Sequence, residues 1–277
     1  MNRRLFAAGI ACLVLMLASV LAYTKMHKAA PEPSSGANSG DYGSAGSVSA
    51  RAKELEAKGE LLEARNLYQK LTNDFPGASL NELSGWQKKI EDLNIKLLFS
   101  AILTPNAVLY EIKPGDTLIK ISREFKTTPE LIIKSNNLTG DKIVPGRKIK
   151  VWTVPFSILV DKSQNTLLLK ANEEVIKSYT VSTGKNNCTP VGVFKIINKL
   201  PNPTWFKSGA VVPADSPENI LGSRWLGFDL PGYGIHGTTD PKSLGTQATQ
   251  GCVRMSNTEV EELYTIVPAG TEVTIVD

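Results

Sequence analysis

The sequence predicts a multidomain chain: an N-terminal α-helical hairpin, a small strand–helix–helix–strand module and a larger, mainly β domain at the C-terminus. Three observations carry this reading. Leucines recur at helical spacing between residues 51 and 103. One βααβ pattern fills residues 110 to 152 around "KPGDTL", and from Phe156 onward short β-type runs alternate with Asn- and Gly-containing turns. At 277 residues, 42% hydrophobic and 21% charged, the chain can bury more than one core, which excludes a disordered protein. Its net charge of +4 is spread without a concentrated basic run, so no nucleic-acid partner is expected.

The elements follow in order. Arg3 and Arg4 precede an uncharged run from Leu5 to Ala22, and Lys25, His27 and Lys28 follow it. That length lies between a signal-peptide core and a spanning helix. Residues 1–28 therefore read as an export signal, an uncleaved anchor, or both in sequence, with the N-terminus on the cytoplasmic side. Cys12 sits too early in the run, and without the Leu-Ala-Gly lead-in, for lipid attachment. Residues 29–50 are dominated by Gly, Ser, Ala and Pro and read as a flexible tether. Everything beyond is then exported into the periplasm or cell envelope, with a membrane contact through the N-terminal segment.

Residues 51–104 read as a helical hairpin. Leu55, Leu62, Leu67 and Leu71 mark the first run, which stops at Phe75-Pro76-Gly77; Leu83, Trp86, Ile90, Leu93 and Leu97 mark the second. Through Gly59, Ala64, Tyr68, Leu71 and Pro76 the first run resembles half of a tetratricopeptide unit. A single unit lacks the stacked neighbours that bury such faces, so a spacer is the expectation.

Residues 105–153 open with an alternating strand, and Asp116 or Thr117 caps a helix carrying Leu118, Ile121 and Phe125. Thr128-Pro129-Glu130 starts a second helix that ends at Asn136-Asn137, and Pro145-Gly146 turns into a closing strand. Through "KPGDTL", "SNNL" and "VPGRKIKV" the segment resembles a lysin motif (LysM). The resemblance implies binding to N-acetylglucosamine-containing glycans, chiefly peptidoglycan, with Gly115, Asp116, Thr117, Asn136 and Leu138 where the groove would be.

Residues 154–277 give the mainly β domain. Three strands lie in "FSILVDKSQNTLLLKANEEVIKSYTVSTG", and others lie in "GVFKIINK" and "TEVTIVD". The expected core is Ile158, Val160, Leu167, Leu169, Val181, Phe194, Ile196, Val273 and Ile275. Within this domain Thr249-Gln250-Gly251-Cys252 is a turn, leading into "VRMSNTEVEELYTIV", which reads as a helix through Val260, Leu263 and Ile266. An attacking cysteine must be a thiolate and needs a base and amide donors for the oxyanion. His236 is the one histidine beyond the tether. From these residues alone Cys252 is a nucleophile, a disulfide partner of Cys188, or a small buried apolar residue.

The wider text narrows this. "TPVGVFKI", "NPTW", "NILGSRWLGF", "YGIHGT", "SLGTQATQGCVRM" and "VPAGTEVTIVD" resemble, in order and spacing, the L,D-transpeptidase (YkuD-type) catalytic domain. The resemblance implies a cysteine acyl-transferase acting on peptidoglycan stems, with no metal or other cofactor. Carried over position by position, Cys252 is the nucleophile and His236 the base, oriented by the Gly237 carbonyl. The amides around Gly251 and Cys252 form the oxyanion hole, Gln250, Thr249 and Tyr233 face substrate, and Arg254 either forks a substrate carboxylate or holds the turn through a buried ion pair. Gln250 stands where the family usually has histidine, which bears on rate and positioning more than on the base. The partners implied are glycan strands and peptide stems. Two alternatives stand beside this: a non-catalytic wall-binding protein with a locked Cys252, and a hydrolase using the same pair with water.

Overall fold

The structure is a computed structural model that describes residues 44–207 and 209–277. The expected signal or anchor segment and the tether up to residue 43 lie outside the described residues. Among those described, no helix is long and apolar enough to cross a membrane.

Three helices come first: α1 (Ala45–Ala57), α2 (Leu61–Asp74) and α3 (Leu80–Leu98). This corrects the two-helix hairpin. Gly59, at φ 80°, divides the first run in two, and α1 begins inside the stretch read as tether. The physical reason is local capping plus small-residue burial. Ser44 accepts from the Ser47 amide, and Val48, Ala52 and Leu55 are buried. A capping box between Ser79 and Glu82 starts α3.

The module then runs β1 (Ala107–Glu111), α4 (Leu118–Glu124), α5 (Pro129–Ser135) and β2 (Lys148–Trp152). Strands β1 and β2 pair antiparallel, with Ala107 opposite Trp152. Thr117 caps α4 and Thr128 caps α5, each side chain accepting from the amide three residues on. Ile112, Leu118, Ile121, Ile132, Ile149 and Val151 form its own core.

The C-terminal domain continues with β3 (Phe156–Asp161), β4 (Thr166–Ala171), β5 (Glu174–Thr180), β6 (Thr183–Gly184), β7 (Gly192–Pro201), β8 (Trp205–Lys207), β9 (Ala210–Val212), β10 (Arg224–Phe228), β11 (Gly234–His236), β12 (Gln247–Thr249), β13 (Val253–Arg254), α6 (Asn257–Ile266) and β14 (Glu272–Val276). Eight strands form one sheet in the order β13-β11-β10-β7-β14-β3-β4-β5. Strands β6 and β12 pair separately in parallel, and β8 pairs with β9. The expected core residues are buried except Phe194, which is half-buried and stacks on Phe228 at 5.6 Å. The α6 side chains Val260, Leu263 and Ile266 enter the same core. Helix α6 starts only at Asn257, capped by Ser256, and Val253-Arg254 is strand. The helix read directly after Cys252 is therefore displaced.

The parts are joined through backbone carbonyls at helix ends. The buried Lys150 ammonium, on β2, donates to the carbonyls of Leu97 (2.7 Å) and Ser100 (3.0 Å) after α3. The Thr128 hydroxyl donates to the Thr265 carbonyl, and Lys199 donates to the Tyr264 carbonyl at 2.7 Å, both near the end of α6. Helix α3 lies along the edge strand β5, where Asn94 donates to the Ile176 carbonyl and Ser178 to Glu91. Replacing Lys150 by Met removes a charged donor from two carbonyls. A loss of about 2 kcal/mol in urea unfolding is expected, and an unchanged midpoint would show the ammonium to be dispensable.

Candidate active site

The site begins with a two-residue parallel ladder. Ile235 lies opposite Val253 and His236 opposite Arg254. Cys252, just before β13, follows the same alternation, so it shares a face with His236 and Arg254. The intervening chain is a crossover, which a parallel pair requires. It includes β12, which pairs with β6 and so fixes the turn leading to Cys252.

His236 is 2% exposed, and its Nδ1 lies 2.7 Å from the Gly237 carbonyl oxygen. A proton on Nδ1 donated to that carbonyl leaves Nε2 with the free lone pair, the form a base needs. The carbonyl is itself held in place. The Gly237 amide donates to the Arg224 carbonyl, while the Asn257 side chain accepts from the Ser223 and Thr238 amides and donates to the Thr238 carbonyl at 2.9 Å. A Cβ at Gly237 would come within 2.2 Å of Asn257 Oδ1, so this strap requires the glycine. Trp225, opposite His236 across β10 and β11, stacks on the imidazole with centroids 6.1 Å apart. Its indole N–H donates to Asn198. Neither Asn257 nor Trp225 was singled out from sequence. The sole signal was the adjacency of Ser256 and Asn257 at a helix start, which predicts a cap and not a reach to residues 223 and 238.

Burial draws the His236 pKa down to about 4, and the Arg254 charge lowers it further against the Gly237 carbonyl. Burial likewise pushes the Cys252 thiol up to about 11, opposed by the Gly234 amide and Arg254. Both groups are neutral at rest near pH 7. Helix α6 begins beyond Cys252, so helix-start amides do not lower the thiol pKa and desolvation dominates.

The turn is braced from within. Thr249 Oγ1 donates to the Cys252 carbonyl (2.7 Å) and accepts from the Gly251 amide (3.1 Å). Thr249 is thus spent on the turn rather than turned to a ligand, and the Gly251 amide is committed. The Cys252 amide has no acceptor among the described residues. Gly251 has φ +122°, and a Cβ there would lie 2.7 Å from the Tyr233 ring, so Tyr233 forms the wall over the turn. Gln250 is exposed. Arg254 is buried, donates to Ser243 Oγ at 2.9 Å, and has no partner at Nε. It makes no carboxylate ion pair among the described residues. Cys188 and Cys252 are both free thiols, so the structure has no bridge between them. Cys188 neighbours the turn, its carbonyl oxygen 3.6 Å from where a Gly251 Cβ would be.

In the module, Asp116 and Thr117 line a groove of about 470 Å³ with Leu118, Ile119 and Pro129. Asp116 accepts from the Tyr110 hydroxyl and the Lys113 amide, and Gly115 turns the chain at φ 84°. Asn136 faces inward instead: it donates to the Ile132 and Lys150 carbonyls and accepts from the Lys150 amide. Leu138 packs against the module core. The sequence placed both at the groove; their bonding and packing make them structural.

A β-sheet domain that carries a buried histidine on one strand and a cysteine just before the parallel strand paired with it, with a βααβ module ahead of it, defines a class of two-part proteins. The L,D-transpeptidase catalytic domain profile (YkuD) matches residues 155–275, and the LysM domain profile matches residues 110–152. The chain is 36% identical over 176 residues to a protein of Bacillus licheniformis named as the L,D-transpeptidase YkuD, covering 61% of this chain and 98% of that one. Its counterpart in Bacillus subtilis is 36% identical over 173 residues, 60% of this chain and 97% of that one. The Bacillus subtilis protein named as the L,D-transpeptidase YqjB is 40% identical over 126 residues, 43% of this chain and 70% of that one. The chain belongs to the L,D-transpeptidase family and carries a LysM domain ahead of the catalytic domain.

The His236 shift sets a pH dependence. An unfolded histidine titrates near 6.5, so between about pH 6.5 and 4 the unfolded chain binds a proton that the folded chain refuses. Stability contributed by the neutral ring is present above that window and lost as pH falls through it, by roughly 3 kcal/mol in all. The variant His236→Gln should lose less stability than wild type between pH 7 and 4 in urea titrations; parallel acid losses would refute the buried neutral imidazole.

Proposed function

We propose that the protein is an exported peptidoglycan L,D-transpeptidase that works through a Cys252 acyl-enzyme and forms 3→3 cross-links between peptide stems. The observation that carries the reading is the His236 imidazole held by the Gly237 carbonyl at 2.7 Å on the strand beside Cys252. The LysM domain supports attachment to the glycan, with Gly115, Asp116 and Thr117 at its groove.

The neutral resting pair specifies how the step runs. As Cys252 Sγ attacks the peptide carbonyl at the L-centre of a donor stem's third residue, its proton passes to His236 Nε2. The S–C bond forms, the Cys252 amide donates to the oxyanion, and the C–N bond breaks as His236 returns the proton to the departing D-alanine amine. The side-chain amine of another stem's third residue then attacks the thioester and regenerates the thiol. Exposed Gln250 and the Tyr233 wall position substrate. Arg254 holds the crossover through Ser243 and lends positive potential to both reacting groups.

Muropeptides incubated with residues 44–277 and analysed by mass spectrometry should give 3→3 dimers. Cys252→Ala and His236→Ala should abolish them, while Gln250→Ala only slows their appearance. Stems shortened by one D-alanine without dimers would make the enzyme a hydrolase. A carbapenem should acylate the peptide containing Cys252; an adduct on the Cys188 peptide would sink the assignment. Because His236 stays neutral above about pH 4 and the thiol protonated up to about pH 11, kcat/KM should be level across neutral pH and fall only below about pH 5. A bell centred near neutrality would point to a preformed ion pair instead.

A further inference from the structure

A cavity of about 640 Å³ lies between the LysM domain and the catalytic domain, and none of its lining residues belongs to the Cys252 site. Its charged side chains are Arg123, Lys126 and Lys199 against the single acid Glu130, three positive less one negative, a surplus of two. Lys199 spends one N–H on the Tyr264 carbonyl and lies 4.2 Å above the Tyr264 ring, which gives the cleft an aromatic wall. Thr127 also lines it. That side chain is 4% exposed, and its buried hydroxyl has no hydrogen-bond partner. Lys126 adds a second anomaly. It follows the C-cap of α4 at φ 54°, where glycine or asparagine is the usual occupant, so an ammonium is placed at the cleft at a conformational cost.

The cleft also continues the glycan groove. Helix α4 lines both cavities, with Leu118 and Ile119 in one and Ser122 and Arg123 in the other, and Pro129 borders both. Four residues of helix, from Leu118 to Ser122, set the two linings about 6 Å apart.

We propose that this cleft is a second peptidoglycan subsite that takes the free carboxylates of a stem peptide, while the uncharged sugars of the same strand lie in the LysM groove. The inference rests on the LysM reading above. Positive charge and an aromatic wall fit an anionic peptidyl-glycan, whereas the groove, lined by Asp116 and Asp141, repels carboxylates and suits the uncharged sugars. Occupying both would fix which stem is presented to the catalytic domain.

The test uses the soluble chain with Cys252→Ala, so that binding is read without turnover, and compares it with the same chain carrying Arg123→Gln and Lys126→Gly. The probes are stem-bearing peptidoglycan strands and uncharged N-acetylglucosamine oligomers. Lys126→Gly relieves the positive φ, so thermal stability should be kept or raised while charge is lost. Binding to stem-bearing strands should weaken about five- to tenfold and lose much of its salt dependence, with the oligomers bound as before. Equal binding of stem-bearing strands by both chains would overturn the subsite and leave the LysM reading intact, as would an equal loss on both probes. If the parent chain binds neither probe, the LysM reading falls and the subsite with it.

Discussion

The sheet is held together by its last strand. β14 lies between β3 and β7, parallel to the first and antiparallel to the second, and it is the sole link between β3-β4-β5 and β7-β10-β11-β13. Val273 and Ile275 on it are fully buried. A parallel pair needs a crossover, and here the crossover from β3 to β14 is nearly the whole domain. Such pairing is non-local, so the loop-closure entropy of the domain must be met before the central strand adds its contacts. The strand's end reaches the site as well. Asp277 pairs with buried Lys162 at 2.9 Å and accepts from Asn187 at 2.8 Å, and Lys162 also donates to the Thr189 carbonyl. The loop beside the Cys252 turn is therefore pinned by the residue that follows the central strand.

The same economy of backbone groups joins the domains. A helix leaves its last carbonyls unpaired, and here the partners come from other parts of the chain. Lys150 satisfies the end of α3, and Thr128 and Lys199 satisfy the end of α6. Thr128 has two tasks, since its side chain also accepts from the Leu131 amide at the start of α5. One threonine thus couples a helix start in the LysM domain to a helix end in the catalytic domain. Bonds of this kind hold the LysM groove at a set position relative to the catalytic sheet, so the LysM domain is packed onto the catalytic domain rather than tethered to it.

What the sequence made legible was whatever repeats locally. Alternation marked β3, β4, β5 and β14, and Asn165 and Asn172 stand at positive φ in the turns between them, as their residue type suggests. The pair His236 and Cys252 was legible because glycine-flanked motifs surround both. Interactions that cross long separations left no pattern: Asn257 to Ser223 and Thr238, Lys150 to Leu97, Asn136 to Lys150. Asn136 shows the same limit, since an exposed sugar-binding asparagine and one that straps two backbones have the same letter. The start of helix α1 was missed for the opposite reason. Its buried face is built partly of Ala and Val among serines and glycines, the composition that elsewhere makes a tether.

The thiol pKa shows where local reading stops and packing takes over. Turn glycines and amides are visible in a sequence; the depth of a site is not. Burial raises Cys252 and lowers His236, and each shift favours the neutral form of its group. A resting thiolate would react with any electrophile that reached it, whereas a neutral pair ionises only as the proton moves from Sγ to Nε2 during attack. In the proposed reaction the fixed Gly237 carbonyl would stabilise the imidazolium as it forms and keep the ring oriented. Asn257 and Trp225 matter through this carbonyl and this ring, one strapping the peptide and the other covering the imidazole. On that proposal reactivity would depend on substrate being present, with the neutrality of the pair, the glycine at 237 and the amide strap at 257 as parts of one constraint.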